Sequence, residues 1–543
     1  MTAQPTTLTT PALAGRREWI GLSVLALACL LYVMDLTVLH LAVPAMTEDL
    51  RPSSSQLLWI IDIYAFMVAG FLVTMGTLGD RIGRRKLLLI GASSFGVVSI
   101  LAAFSRTPEM LIASRALLGI AGATLAPSTL SLIFSMFQDP RQRAIAVSIW
   151  ISAFSAGSAV GPVLGGVMLE HFWWGSVFLL ALPVMALLLV LGPIVLPEYK
   201  DPNAGRLDIP SSVMSLVAVL SVIFGLKQIA MDGFSPTPVA AIALGLGVGA
   251  LFVRRQLALD DPMINLRLFR IPAFSGSLVI NFVSIFVAVG YFLFIAQYLQ
   301  LVLGLSPLEA GLWSLPSAIG FIVGSQLAPR LVRVVRPSHI IGGGLAMAAV
   351  GLAMLTQVGA VGGLPTLVLA SLVISLGLAP VLTITTELIV GSAPPEQAGA
   401  ASGISETGVE LGGALGIAIL GSIGTAVYRT QIVEAMPSGV PGDAIAAARD
   451  TLGGAVSVAG ELAGAAGSAV LIAAQGAFVQ GMHTTSLIAA VIAAGIAVVA
   501  VVTLRNLSTN AAETGDTADP GAGATVGDES TRGARGWAAA CEA

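Results

Sequence analysis

Apolar residues along the chain fall into long runs, each interrupted by charged residues or Pro/Gly clusters. A helix that crosses a bilayer needs about 20 such residues to cover about 30 Å of hydrocarbon. Fourteen runs reach that scale, with cores near 19–45, 57–78, 87–104, 109–137, 144–168, 175–195, 210–229, 236–253, 273–301, 309–329, 338–358, 363–391, 397–427 and 482–504. The pattern predicts an all-α integral membrane protein with fourteen transmembrane helices. The first run is too long for a cleavable signal peptide, contains Asp35 and is followed by many others, so it is expected to remain in the mature protein.

Lys and Arg concentrate in the cytoplasmic loops of membrane proteins. With the N-terminus inside, twenty of the 26 basic residues fall on one side and five on the other, Arg115 lying within a run. Both termini are therefore expected in the cytoplasm. Residues 430–480 are Ala/Gly-rich but contain Glu434, Asp443, Arg449, Asp450 and Glu461, and read as a long extracellular loop in the form of a re-entrant or amphipathic hairpin. Two further spans there are the alternative. The tails at 1–15 and 508–543 hold too few apolar residues to pack and are expected to be disordered.

Composition narrows the function. The chain is 56% hydrophobic and only 10% charged, against about 25% charged in an ordinary soluble domain. A net charge of −4 offers no basic surface for nucleic acid. Cys29 and Cys541 are the only cysteines and the four histidines lie far apart, so no disulfide framework or metal cluster is readable. None of the three lysines, Lys86, Lys200 and Lys227, sits in a P-loop pattern. No cofactor or nucleotide is expected, and uphill transport must draw on another energy source.

Between the second and third runs stands Gly76-Thr-Leu-Gly-Asp80-Arg81-Ile-Gly83-Arg84-Arg85. Its spacing returns after the tenth run, where Leu327-Ala-Pro-Arg330-Leu-Val-Arg333 matches Leu78 to Arg84 with Pro329 in place of Asp80. Spans 1–6 then repeat as spans 9–14. This gives a six-helix half over 16–200, two extra central helices over 201–255 and a second half over 256–507. Paired six-helix halves are a common transporter plan.

With these residues in view, the sequence resembles the major facilitator superfamily, whose loop signature is matched at every position from Gly76 to Arg85. Leu111 to Gly122 is similar to the family's buried-arginine motif around Arg115, with Leu118 where Gln is usual. Gly157, Gly161, Pro162, Gly165 and Gly166 are similar to the motif of its antiporters. Met34 to Pro44, with His40 in place of a frequent Asn, resembles the fourteen-span drug:proton antiporter branch, as do Trp59 to Tyr64 and Ser405 to Gly413. That branch includes the QacA-type and LfrA-type exporters of quaternary ammonium compounds and dyes. The resemblance implies a multi-pass protein of the bacterial cytoplasmic membrane, working as a monomer and exporting lipophilic cations in exchange for protons.

Ionisable groups inside a bilayer cost about 2.5 kcal/mol or more at a helix centre, so each one is a functional candidate. Asp35, Asp62 and Arg115 lie at depths that allow one N-terminal cluster. There Arg115 favours the charged carboxylate and desolvation the protonated one, the balance a proton carrier needs; a permanent Asp–Arg tie between helices is the alternative. Glu406 and Glu410 share one helical face, where two like charges repel and a cation can displace a proton. Trp59, Tyr64, Tyr291, Tyr298 and Trp313 offer aromatic faces to a cation or form an interfacial belt, and His40 is a further cavity candidate. Asp80, Arg81, Arg84 and Arg85 read as a cytoplasmic gate; a plain positive anchor suffices for Arg84 and Arg85 but leaves Asp80 unexplained. The glycine motif in span 5 is expected to seal the two halves.

Two further classes remain. A membrane-embedded enzyme would need a nucleophile–base pair or metal ligands at depth, and no G-x-S-x-G or H-E-x-x-H occurs. A channel would need filter rings, usually through oligomerisation. Within the transporter class, the alternative cargo is a neutral or anionic natural product of the host cell.

Overall fold

A computed structural model describes residues 13–52, 54–200, 208–232, 235–259, 262–437, 440–462 and 464–505. The expected tail at 508–543 lies outside them. The described residues form helices α1 (Arg16–Leu50), α2 (Ser54–Ile82), α3 (Arg84–Ala103), α4 (Pro108–Gly122), α5 (Leu125–Met136), α6 (Pro140–His171), α7 (Ser176–Leu179), α8 (Ala181–Val195), α9 (Ile209–Asp232) and α10 (Pro236–Ala258). They continue as α11 (Pro272–Gln297), α12 (Pro307–Leu331), α13 (Pro337–Leu355), α14 (Leu364–Gly391), α15 (Ala398–Gly416), α16 (Ser422–Ala435), α17 (Gly442–Asp450), α18 (Leu452–Glu461) and α19 (Ala465–Thr503). Thirteen helical segments among the described residues are long and apolar enough to cross a membrane. The Pro307–Leu331 helix matches the tenth apolar run but does not join them, because Glu309, Gln326, Arg330 and two internal prolines dilute it.

Proline and capping residues place the helix starts. Pro108, Pro140, Pro236, Pro272, Pro307 and Pro337 each occupy the first turn, where a missing N–H costs nothing. Thr107 and Asp139 accept from the amides of Met110 and Gln142, and Ser306 with Glu309 forms a reciprocal capping box. Two expected spans are broken: the fourth turns at Ala123–Thr124 between α4 and α5, and the sixth at Leu180 between α7 and α8. Helix α11 runs on through a π-turn at Tyr298–Val302, and α15 joins α16 through another at Ile417–Gly421.

The segment expected as a loop over 430–480 is shorter. Helix α16 reaches Ala435 and α19 starts at Ala465, leaving α17 and α18 as a packed helical hairpin between them. The Ala-rich run after Gly464 contains no charge or proline before the next span, so the helix continues through it. At 39 residues α19 is about 58 Å long, well beyond the thickness of a hydrocarbon core.

Buried apolar side chains gather mainly in two clusters, one built from Leu22 to Leu196 together with Val390 and Ala398 and the other from Ile280 to Leu504. Within the first, α1 packs on α6 and α2 on α4; within the second, α13 lies between α14 and α19. The two groups meet where α2 packs on α15 and α6 on α12. Helix α9 lies against α2, and α10 packs on α9 with most of its surface outward. That pair is pinned at one end, where Arg255 bonds Asp208 at 3.0 Å and Gln256 donates to Ser211 at 2.7 Å.

Candidate functional site

The densest polar contacts between the two groups lie at the end of α2. Asp80 accepts from the backbone amides of Gly399 and Ala400 at 3.1 and 2.9 Å, the first turn of α15. No side chain of the preceding Gln397 caps that turn, so its amides are open to a carboxylate arriving from another helix. Arg84, only 1% exposed, bonds Asp80 at 2.9 Å, the Ser131 carbonyl at 3.1 Å and the Pro395 carbonyl at 2.6 Å. Its guanidinium also lies 4.7 Å from the ring centre of Tyr199. Arg84 is therefore not a surface anchor, since its charge is satisfied inside the protein.

Two glycines make this clasp possible. A side chain on Gly76 would collide with the Gly399 carbonyl, so α2 and α15 touch backbone to backbone. Gly83 adopts φ +112°, a conformation L side chains rarely take, and ends α2 so that α3 can start at Arg84. Arg85 is tied locally instead, its Nε lying 3.5 Å from Glu198 and its Nη1 donating to Leu196 O at 3.0 Å. Arg81 is half-buried and also engaged. Sequence reasoning missed Glu198 and Tyr199, which follow α8: the Arg84 amide donates to the Tyr199 carbonyl at 3.0 Å, and the Tyr199 hydroxyl donates to Glu396 at 3.4 Å.

Deeper in the bundle, Arg115 on α4 is wholly buried and forms an ion pair with Asp35 on α1. Its Nε donates to the Ile60 carbonyl at 3.3 Å, and its guanidinium lies 4.7 Å from the Tyr64 ring centre. Tyr64 is thus a cover for this cation. A cavity of about 10 Å³, near the lower limit for one water, opens beside Asp35 between Val38, Val177, Phe178 and Ala181. Asp62 sits half-buried on α2 and is engaged as well.

Glu406 and Glu410 stand one turn apart on α15 and feel each other's charge. Glu406 is 8% exposed, and among the described residues no hydrogen bond or ion pair reaches it. Glu410 accepts from the hydroxyl of Tyr32 on α1 at 3.5 Å, so the carboxylates face the N-terminal group. Below them, Gln326 on α12 donates to Ser152 at 3.0 Å and accepts from Ser148 at 3.2 Å, both on α6.

Other expected positions differ. Gly157, Gly161 and Gly165 pack against Leu30, Thr37 and Val38 of α1, within one group of helices rather than between the two. The face of α6 that meets α12 is the one bearing Ser148, Ser152 and Ser155. Among the described residues nothing lies within 4 Å of where a Cβ on Gly166 would stand. Tyr298 is fully buried and its hydroxyl donates to the Gly359 carbonyl at 2.6 Å. Tyr291 is buried beside Phe292, whereas Trp59 and Trp313 are 40% and 45% exposed. The side chains of His40 and Pro162 lie outside the described residues.

Residues 25–417 match the Major Facilitator Superfamily. The chain belongs to that superfamily. It is 44% identical over 501 residues to the multidrug efflux pump LfrA of Mycolicibacterium smegmatis, covering 92% of this chain and 98% of that protein. It is 38% identical to the methyl viologen resistance protein SmvA of Salmonella typhimurium, over 85% and 93% of the two chains. It is 30% identical to the tetracenomycin C resistance and export protein of Streptomyces glaucescens, over 91% and 94%. Among solved structures, the human organic anion transporter MFSD10 superposes with a TM-score of 0.56 at 16% identity, covering 88% of this chain and 99% of that one. A bacterial homologue of the lysosomal transporter Spinster, in an inward-facing conformation, gives 0.53 at 18%, over 91% and 98%. These superfamily members share the fold, and the sequence relatives are drug-resistance transporters.

Proposed function

We propose that this transporter exports lipophilic, mainly cationic compounds from a bacterial cell in exchange for protons, working as a fourteen-span monomer with both termini in the cytoplasm. The observation that carries the reading is the charge balance of the interior. Asp35 is matched by Arg115, whereas Glu406 and Glu410 sit together in the bundle and, among the described residues, no basic side chain is bonded to Glu406. Two adjacent carboxylates in a low-dielectric interior cannot both stay ionised cheaply, and either a proton or an organic cation relieves them. A site that accepts one or the other exchanges them. Methyl viologen, named for the relative SmvA, is such a cation.

On this reading the basic loops lie in the cytoplasm, and the clasp of Asp80 and Arg84 holds the cytoplasmic side shut. Cation loading from inside requires that clasp to open, and the two groups of helices then rock about the carboxylates. Each proton that enters brings about 2.3 kcal/mol per 100 mV of membrane potential, enough to drive export. Asp35 beside Arg115 is the second proton site. A cargo made by the host cell is the other reading, supported by the 30% identity to the tetracenomycin C exporter.

Ethidium efflux from proteoliposomes tests this directly. Transport is expected with an imposed pH gradient and not after its collapse, and Glu406→Gln is expected to stop it. Ethidium left unmoved by correctly folded protein would hand the lead to the natural-product reading. An intact rate in Glu406→Gln would remove that carboxylate from the mechanism.

A further inference from the structure

Tyr32 belongs to none of the motifs above. It lies on α1 one turn before Asp35 and is buried. Its hydroxyl donates to Glu410 of the other group of helices at 3.5 Å, and its backbone carbonyl accepts from the Tyr64 hydroxyl at 3.4 Å. The Tyr32 and Tyr64 ring centres are 6.1 Å apart, and the far neighbour of Tyr64 is the Arg115 guanidinium, itself paired with Asp35. One unbroken series of contacts thus joins Asp35, Arg115, Tyr64, Tyr32 and Glu410. We propose that Tyr32 is the positioning residue through which protonation of Asp35 and occupation of Glu410 by an organic cation oppose each other. The inference rests on the reading of these carboxylates as proton and cation sites.

The sign follows from the charges. An ionised Asp35 cancels Arg115. A proton on Asp35 leaves Arg115 positive, held by the Ile60 carbonyl and the faces of Tyr64 and Phe178 with no counter-charge, and an unbalanced cation there disfavours a second one near Glu410. Tyr32 fixes the geometry over which that repulsion acts, because its hydroxyl holds Glu410 while its carbonyl is tied to the ring that covers Arg115. No proton passes through the hydroxyl; only the carboxyl groups load and release one. Among the described residues, Arg115 from α4 and Tyr64 from α2 face Asp35, while α7 and α8 offer only Val177, Phe178 and Ala181. Those facing Glu410 include Tyr32, Tyr64 and Glu406.

The test is ethidium binding to the purified full-length protein in nanodiscs at about pH 6 and about pH 8. Wild type is expected to bind about tenfold or more tightly at the higher pH, and Asp35→Asn to flatten that ratio. Tyr32→Phe keeps the ring and removes the hydroxyl. It should cut the ratio below about threefold whatever it does to affinity itself, and the double variant with Asp35→Asn should flatten no further. Tyr32→Phe with the wild-type ratio overturns the proposal alone. A wild type whose affinity ignores pH overturns the proton-exchange reading and this inference with it. If Tyr32→Phe does not fold, Tyr64→Phe decides in its place, since it cuts the anchor at the Tyr32 carbonyl while keeping the face under Arg115; a wild-type ratio there is equally fatal.

Discussion

Residues 78–84 and 327–333 share one spacing of basic residues, and the structure uses them in opposite ways. In the first, Arg84 is buried and Asp80 caps the start of α15 across the boundary between the two groups of helices. In the second, Arg330 and Arg333 are exposed, and Arg330 donates to the carbonyl of Gln326 on its own helix at 3.4 Å. The cause is who supplies the cap. Helix α15 begins at Ala398 without a side-chain cap of its own, whereas α6, which packs on α12, carries Asp139 bonded to Gln142 N at 2.9 Å. A cap supplied in cis already occupies one of the first-turn amides that a visiting carboxylate would take, and Pro329 stands where that carboxylate would be. The α6–α12 contact is made of hydroxyls and one amide instead. The two halves of a repeat therefore differ in chemistry: one contact holds by charge, the other by neutral hydrogen bonds.

The largest expected effect comes from breaking the charged contact. Asp80→Asn leaves Arg84 buried without a counter-charge, and removal of one partner from a buried pair costs about 3–5 kcal/mol. The loss falls on the closed conformation, so ethidium efflux should drop by about tenfold or more, as expected for a shift of several RT between states. Double electron–electron resonance between labels on the first turns of α3 and α13 should show the open state. An unchanged distance distribution would mean that the clasp does not set the conformational balance. Gly76→Val attacks the same contact sterically, because its side chain meets the Gly399 carbonyl. Overpacking of this kind costs about 1–3 kcal/mol, and the same measurement should show a smaller shift in the same direction.

Asp139→Ala is the counterpart in the repeat. It removes a cap, worth about 1 kcal/mol, from a helix whose packing on α12 does not depend on that carboxylate. The thermal midpoint should fall slightly while the distance distribution stays as in wild type. A shift toward the open state as large as that of Asp80→Asn would erase the distinction between caps supplied in cis and in trans.

How much of this was legible in the sequence depends on the range of the interaction. Helix positions were readable because burial in a bilayer demands about 20 apolar residues whatever the neighbours are. The pairing of Asp35 with Arg115 was readable because an isolated charge at depth is untenable. Partners set by tertiary contact were not. Tyr199 and Glu198 follow the sixth span with no periodicity to single them out, and Tyr32 reads as one more aromatic in an apolar run. The spacing of Gly157, Gly161 and Gly165 announced a close helix contact but not which helix, and the partner proved to be α1. The length of α19 was misread because scattered glycines between 464 and 481 resemble a loop, although alanines around them sustain the helix.

The smallest expected effect is the one that isolates charge from spacing. Arg330→Ala and Arg333→Ala remove the two basic residues that reproduce the positions of Arg81 and Arg84, yet both are exposed and, among the described residues, neither is hydrogen-bonded or ion-paired to the other group of helices. Exposed substitutions away from caps and cores stay within about 0.5 kcal/mol, so thermal midpoint and ethidium efflux should match wild type. Insertion is the remaining role for these side chains, through the preference of basic loops for the cytoplasm. The double variant should therefore lower the fraction of correctly oriented protein, measured by labelling of single cysteines from either side, without changing the rate per correctly inserted molecule. A reduced rate per molecule would show that the second copy of the spacing acts in the conformational cycle, and that its charge is used in a state other than the one described here.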